Sequence, residues 1–339
     1  MRSYRTPVAA GLGCLFALAT AGCSGQGDTS PASPTATAGA GTSSPAATGT
    51  SYAPYVSATE AAGTDSAGSP TTYNLAFVIA DGDDCTPRWN GTHAIGDSGV
   101  ASRIAELKKD GVRVRVSFGG ASGKELAVNC DSASELAAAY GKALDAAGAT
   151  LADFDIEGDE LSDSASVALR SKAIARLQEE RTDLEVSFTL PVMPEGLDKD
   201  GLALLASAND NGVQVSTVNL MTMNYGSSYD GDMGGYALAA AEAAHTQLKK
   251  TFGTSDATAW QGMALTSMIG VNDVAGETFT LADAAEVRAF AEEKGIAWVS
   301  MWSTARDRSC ADGSDSAEAA TDCSGVTQGP GAFGKAFAG

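Results

Sequence analysis

Three acids recur at every second position of the segment Thr150-Leu151-Ala152-Asp153-Phe154-Asp155-Ile156-Glu157. In a strand, Asp153, Asp155 and Glu157 share one face at a spacing of about 6–7 Å, while Phe154 and Ile156 take the other. Burying three acids in a row is costly, because like charges repel and are poorly solvated away from water. A strand of purely structural duty would carry Val or Ile there, and only an exposed antiparallel edge would carry alternating acids harmlessly. Coupled carboxylates are also how a site keeps one acid protonated near neutral pH. Glu157 is therefore the candidate general acid, Asp155 the neighbour within its reach, and Asp153 a deeper proton partner. The row leaves the nucleophile open, and no fourth acid appears at a matched strand position.

Other chemistries find little support. The two histidines, His93 and His245, have no second nitrogen ligand nearby in sequence, which argues against a zinc site or a Ser-His-Asp hydrolase. Gly119 to Lys124 has the look of a phosphate loop, but its glycine spacing is one short and Glu125 replaces the required Ser or Thr. Asp81-Gly82-Asp83-Asp84 lacks the calcium-loop pattern and reads as a solvated acidic turn. No metal or cofactor is expected. A formal charge of −20 would repel nucleic acid and suits a soluble protein acting on a neutral polymer.

The elements that must hold the acid row are short apolar runs alternating with amphipathic stretches. The runs are 53–56, 73–79, 112–118, 151–156, 184–190, 215–223, 262–269 and 297–302, and the helical stretches are 99–109, 132–147, 162–180, 199–209, 236–251 and 281–294. Ser132 with Glu135, and Thr280 before Leu281, are helix-start signals. Eight β-runs with intervening helices predict an α/β chain with parallel strands, closed as a (β/α)8 TIM barrel, with an open doubly wound sheet as the alternative. That pattern offers no exposed edge for the acid row. In a barrel the large apolar side chains pack on the outer helices, so the acids face inward, with Glu157 nearest the C-terminal mouth where barrel enzymes work.

Ahead of the barrel, Arg2 and Arg5 precede an apolar run from Val8 to Ala19, then Ala21, Gly22 and Cys23. This reads as an export signal over residues 1–23, its core too short to span a bilayer, with Cys23 the candidate for lipidation. Residues 24–52, rich in Ser, Thr, Ala, Gly and Pro, cannot bury enough surface to offset ordering and read as a flexible tether. Residues 53–339 form the one folded domain. The expected place is extracellular or cell-surface, as a monomer meeting the membrane only through a lipid anchor. Cys14 lies in the signal, leaving Cys85, Cys130, Cys310 and Cys323 for two disulfides. Three pairings are possible; the favoured one joins Cys310 to Cys323, which closes a short loop rich in Asp and Ser, with Cys85–Cys130 then following by elimination.

The acid row resembles the D-G-x-D-x-D-x-E motif on the fourth barrel strand of glycoside hydrolase family 18, the chitinases and related endo-N-acetylglucosaminidases. Ser117-Phe118-Gly119-Gly120 matches the S-x-G-G of their third strand, and Met221-Thr222-Met223-Asn224-Tyr225-Gly226 is similar to the M-x-Y-D of the sixth. Trp302, in Met301-Trp302-Ser303, matches the Trp that ends the eighth. Thr150 replaces the motif's first aspartate, Met223 stands at the usual tyrosine, and Asn224 replaces the usual aspartate. The resemblance implies substrate-assisted hydrolysis of chitin-type chains, with the substrate's own 2-acetamido oxygen as nucleophile and net retention. It implies Glu157 as acid, Asp155 as the group that stabilises the acetamido N–H, Tyr225 or Asn224 as the substrate-orienting residue, and Trp302 as sugar floor. Ser117, Met221 and Met223 join the substrate-binding candidates from the same motifs. Tyr55, on the first strand, is a further candidate, although it and Trp89 suit packing as well as a subsite. An endo-N-acetylglucosaminidase acting on N-glycans and a catalytically silent chitin-binding lectin are the alternatives.

Overall fold

The computed structural model describes residues 49–311 and 318–339. The export signal, Cys23 and the tether up to residue 48 lie outside the described residues. The strands are β1 (Ser51–Tyr52), β2 (Tyr55–Ser57), β3 (Thr72–Asp81), β4 (Asp84–Trp89), β5 (His93–Ala94), β6 (Arg113–Gly119), β7 (Leu151–Asp155), β8 (Glu185–Pro191), β9 (Val215–Met221), β10 (Met263–Met268), β11 (Gly270–Val271), β12 (Thr278–Phe279) and β13 (Trp298–Trp302). The main helices are α1 (Ser98–Leu107), α2 (Ala133–Ala147), α3 (Gly158–Ser162), α4 (Ser164–Glu180), α5 (Lys199–Asp210), α6 (Met233–Phe252), α7 (Asp256–Gln261), α8 (Leu281–Lys294) and α9 (Ala332–Ala338).

The sheet runs β1-β13-β10-β9-β8-β7-β6-β3, parallel throughout, and β2 pairs with β3. β1 and β2 are two pieces of one strand, so the sheet closes into the expected (β/α)8 barrel. Pro54 has no N–H and interrupts that strand, yet its carbonyl still accepts from Asn74 N at 2.9 Å, while Ala53 N donates to Val299 O at 2.9 Å. The eight expected runs are the eight barrel strands.

Two expectations of extent change. The tether boundary at residue 52 falls inside the barrel: Thr50 Oγ1 donates to Ile296 O at 2.8 Å, and Ser51 and Tyr52 pair with Trp298 and Val299. Ser and Thr have tether-like composition, but here their backbone completes the β13 ladder. The segment after β3, expected as a loop, is an antiparallel hairpin formed by β4 and β5.

Helix starts follow their signals. Thr280 and Asp283 form a reciprocal capping box on α8. Ser132 Oγ accepts from Glu135 N, while the Glu135 carboxylate takes the N–H of Asp131 rather than that of Ser132. Outside the barrel wall, Phe118, Phe154 and Phe188 lie in register on β6, β7 and β8 and stack against one another, with Tyr140 of α2 edge-on to the first two. Alternation then forces Asp153 and Asp155 into the barrel. Both disulfides form as expected, Cys85–Cys130 and Cys310–Cys323.

Candidate active site

Asp153 is fully buried and caged by hydroxyls. Its Oδ2 accepts from Ser117 Oγ at 2.7 Å and Tyr55 OH at 2.9 Å, and its Oδ1 from Ser187 Oγ at 2.7 Å and Thr189 Oγ1 at 2.8 Å. The cage arises from register, since Ser117 and Ser187 are the direct cross-strand partners of Asp153 on β6 and β8. Asp155 lies one step nearer the mouth and is 4% exposed. Burial pushes its carboxyl well above the usual carboxylate range, and the charges of Glu157 and Asp153 add to the effect. Glu157 is also raised, by burial first; the hydrogen bond from Asp155 works against that rise, and Glu160 and Asp273 reinforce it. The two acids form a hydrogen-bonded pair, and burial holds both above the usual carboxylate range.

The pair opens into a cleft enclosing about 470 Å³ of space, the open solvent at its mouth included. Tyr55, Phe77 and Trp302 form an aromatic wall: Phe77 stacks on Trp302 at 5.5 Å between ring centres, and Tyr55 meets Trp302 edge-on at 5.8 Å. Met221, Met223, Asn224 and Asp273 line the cleft as well, and Thr189, Thr266 and Ala121 complete it.

The cleft thus gathers Glu157, Asp155, Trp302, Tyr55, Met221, Met223 and Asn224 from the sequence candidates, with Asp153 directly beneath. Two candidates are corrected. Ser117 is fully buried and spends its hydroxyl on Asp153, so it supports the acid row from below and does not line the cleft. Tyr225 packs in a cluster with Tyr229 and Tyr236 and does not line the cleft, so of the two orienting candidates Asn224 is the one that does. The reason is local. Asn224 adopts a left-handed φ of 56°, which Asn tolerates better than most residues. Glu277 receives Gly226 N at 2.8 Å and fixes the turn. Trp89 is completely buried and its indole donates to Ile95 O, so it is packing.

The twin glycines of the third strand have a steric cause. Gly119 and Gly120 have φ of 96° and 93°. A Cβ on Gly119 would overlap the Asp155 carbonyl oxygen, and one on Gly120 would lie 2.8 Å from the Phe77 ring. Sequence reasoning missed Phe77, Thr189 and Thr266 as cleft residues, whereas Asn272-Asp273, expected from the sequence as a loop at the mouth able to touch sugar, does bring Asp273 to the cleft. Asp273 arrives on the hairpin between β11 and β12 rather than at a matched position of a barrel strand.

The chain is 30% identical to the catalytic domain of a hyperthermophilic chitinase from Pyrococcus furiosus, covering 93% of that chain and 84% of its own with a TM-score of 0.74. It belongs to glycoside hydrolase family 18. Among curated family 18 relatives, a probable bifunctional chitinase/lysozyme of Escherichia coli is 35% identical over 275 residues, which is 76% of this chain and 31% of that protein. Endochitinase 11 of Metarhizium anisopliae is 34% identical over 248 residues, 69% of this chain and 47% of that protein. The chain thus spans less than half the length of either curated relative. No family model matches it. Asp155, Glu157 and Trp302, which carry the family resemblance, line one cleft, with Asp153 beneath it and Gly119 packed against Asp155.

Proposed function

We propose that the protein hydrolyses β-1,4-linked N-acetylglucosamine chains of the chitin type, with retention and with help from the substrate's acetamido group. The observation that carries this reading is the hydrogen-bonded Asp155–Glu157 pair opening beneath an aromatic wall. Aromatic faces suit the apolar C–H faces of pyranose rings, and Trp302 is the stacking surface. The relatives are a chitinase/lysozyme and an endochitinase, which favours chitin over an N-glycan substrate or a silent lectin.

The pair's proton passes to Glu157, which leaves Asp155 charged. Glu157 protonates the glycosidic oxygen while the acetamido carbonyl oxygen attacks the anomeric carbon, breaking the C–O bond to the leaving sugar. Asp155 accepts a hydrogen bond from the acetamido N–H and stabilises the cyclic oxazolinium. Glu157, now ionised, takes a proton from water as that water opens the ring on the original face. Asp153, its oxygens occupied by four hydroxyls, holds Asp155 in position from below. Asn224 orients the sugar from the opposite wall.

Proton NMR of the first products tests the reading, with the β anomer expected. Fully deacetylated oligomers should resist cleavage, and a thiazoline analogue of the intermediate should inhibit competitively, because it resembles the charged intermediate more than the ground state. An α product, or brisk cleavage of a substrate lacking N-acetyl at the cut site, would overturn it. The two disulfides fit an oxidising compartment outside the cytoplasm, and we place the protein at the cell surface, held by lipid on Cys23.

A further inference from the structure

Asp273 is the cleft acid that lies outside the 153–157 segment, and the mechanism above does not use it. It sits between β11 and β12, on a hairpin secured from several sides. Asn272, nearly fully buried, donates through Nδ2 to Met268 O and Gly270 O, both at 2.9 Å, and its N–H donates to Glu277 O at 3.0 Å. The buried Arg306 guanidinium donates to Ile269 O and Val271 O at 2.9 and 2.6 Å, and Val271 N donates to Ser324 O at 2.8 Å. An exposed acid on so fixed a support is preorganised. Its Oδ2 lies 3.4 Å from Asn224 Nδ2, and it lines the same cleft as Glu157.

We propose that Asp273 is a positioning residue for this reaction: from its fixed hairpin it turns the Asn224 amide into the cleft and sets an acidic side chain in the same cleft as Glu157. The proposal rests on the reading of Glu157 as the acid. The charged groups around the pair are few. Asp155 and Glu160 face Glu157 from β7 and α3, Asp153 lies behind Asp155, and Arg306 faces Asp273. Asp273 and Glu160 both favour the proton on Glu157, so removing the negative charge at 273 releases that proton at lower pH.

The test is kcat/KM against pH on a soluble chitooligosaccharide for wild type, Asp273→Asn and Asp273→Glu. Because Asp273 is exposed, neither substitution disturbs the core. In Asp273→Asn the alkaline limb should move down by about half a pH unit, read as a roughly threefold deficit on that limb, the scale of a like charge acting partly through solvent. The shift should shrink at high salt, and Asp273→Glu should restore the limb. An unmoved limb in Asp273→Asn overturns the proposal. A loss of about a hundredfold or more at every pH also overturns it, because Asp273 would then react with the sugar itself. Glu157→Gln in the same assay separates the two levels. If it is inactive, the reading of the acid stands whatever Asp273 does; if it retains more than half of wild-type turnover, that reading falls and takes the proposal with it.

Discussion

Two aspartates separated by one residue on β7 have opposite surroundings. Asp153 is met by four hydroxyl donors, whereas Asp155 Oδ1 is buried without a hydrogen-bond partner and its other interaction is with a second acid. The first arrangement fixes an acceptor in place, and the second makes a proton mobile. Glu157→Gln should therefore cut turnover at least about a hundredfold while leaving sugar binding nearly intact, because it removes only the transferable proton. Asp155→Asn should also reduce kcat strongly. Asp153→Asn should reduce it less while lowering the melting temperature, since an amide cannot accept from all four hydroxyls. Steady-state kinetics with thermal melts decides the order: comparable kcat losses would show the two aspartates acting as one electrostatic unit, and a larger loss from Asp153 would refute the assignment.

At the scale of elements, the site depends on close approaches between segments rather than on one strand. Gly120 N donates to Asp155 O at 2.9 Å, so the turn after β6 holds the backbone of the acid row directly. The same turn is held from outside. Glu125 accepts from Arg170 Nη2 at 2.7 Å and from Tyr140 OH at 2.5 Å, all fully buried, and its N–H donates to Glu160 at 2.8 Å. Cys85–Cys130 ties the β4 hairpin to the end of this loop. Gly119→Ala should displace Asp155, because its Cβ has no room and its φ disfavours any side chain, a strain of about 1–3 kcal/mol. Its melting temperature should fall by several degrees and its kcat by far more than its KM rises. Wild-type kinetics in the purified Ala variant would show that the turn is slack.

Across the whole molecule, the barrel is one body and the segment ahead of it is a separate question of anchorage. Arg2, Arg5, the apolar run and Cys23 motivate the expectation that Cys23 carries lipid. Cys23→Ser, or inhibition of lipoprotein signal cleavage, should move the protein from membrane to medium without changing its specific activity. Unchanged partitioning in both would leave ordinary secretion. The negative charge of the chain fits a soluble catalyst working on an uncharged polymer rather than one steered by phosphate.

The barrel and the acid row were legible in the sequence because each rests on local periodicity. Period-two alternation in 151–157 names the inward face, and eight apolar runs between helices leave few topologies. The twin glycines and Trp302 were legible through the family resemblance, because their constraint is steric and tied to a position along the chain. What only the tertiary structure decided depends on approaches across the barrel. Nothing in the order of residues says that Ser117 is consumed by Asp153, that Tyr225 packs with Tyr229 and Tyr236 while Asn224 lines the cleft, or that Phe77 stacks on Trp302. For Asp273 the order of residues gives a loop at the mouth but not which cleft acids it joins. It lies 116 positions after Glu157 in the chain and reaches the cleft on a hairpin outside the strand repeat, so no periodicity connects the two. Coulomb attraction and repulsion depend on distance in space, and only the closed barrel sets that distance.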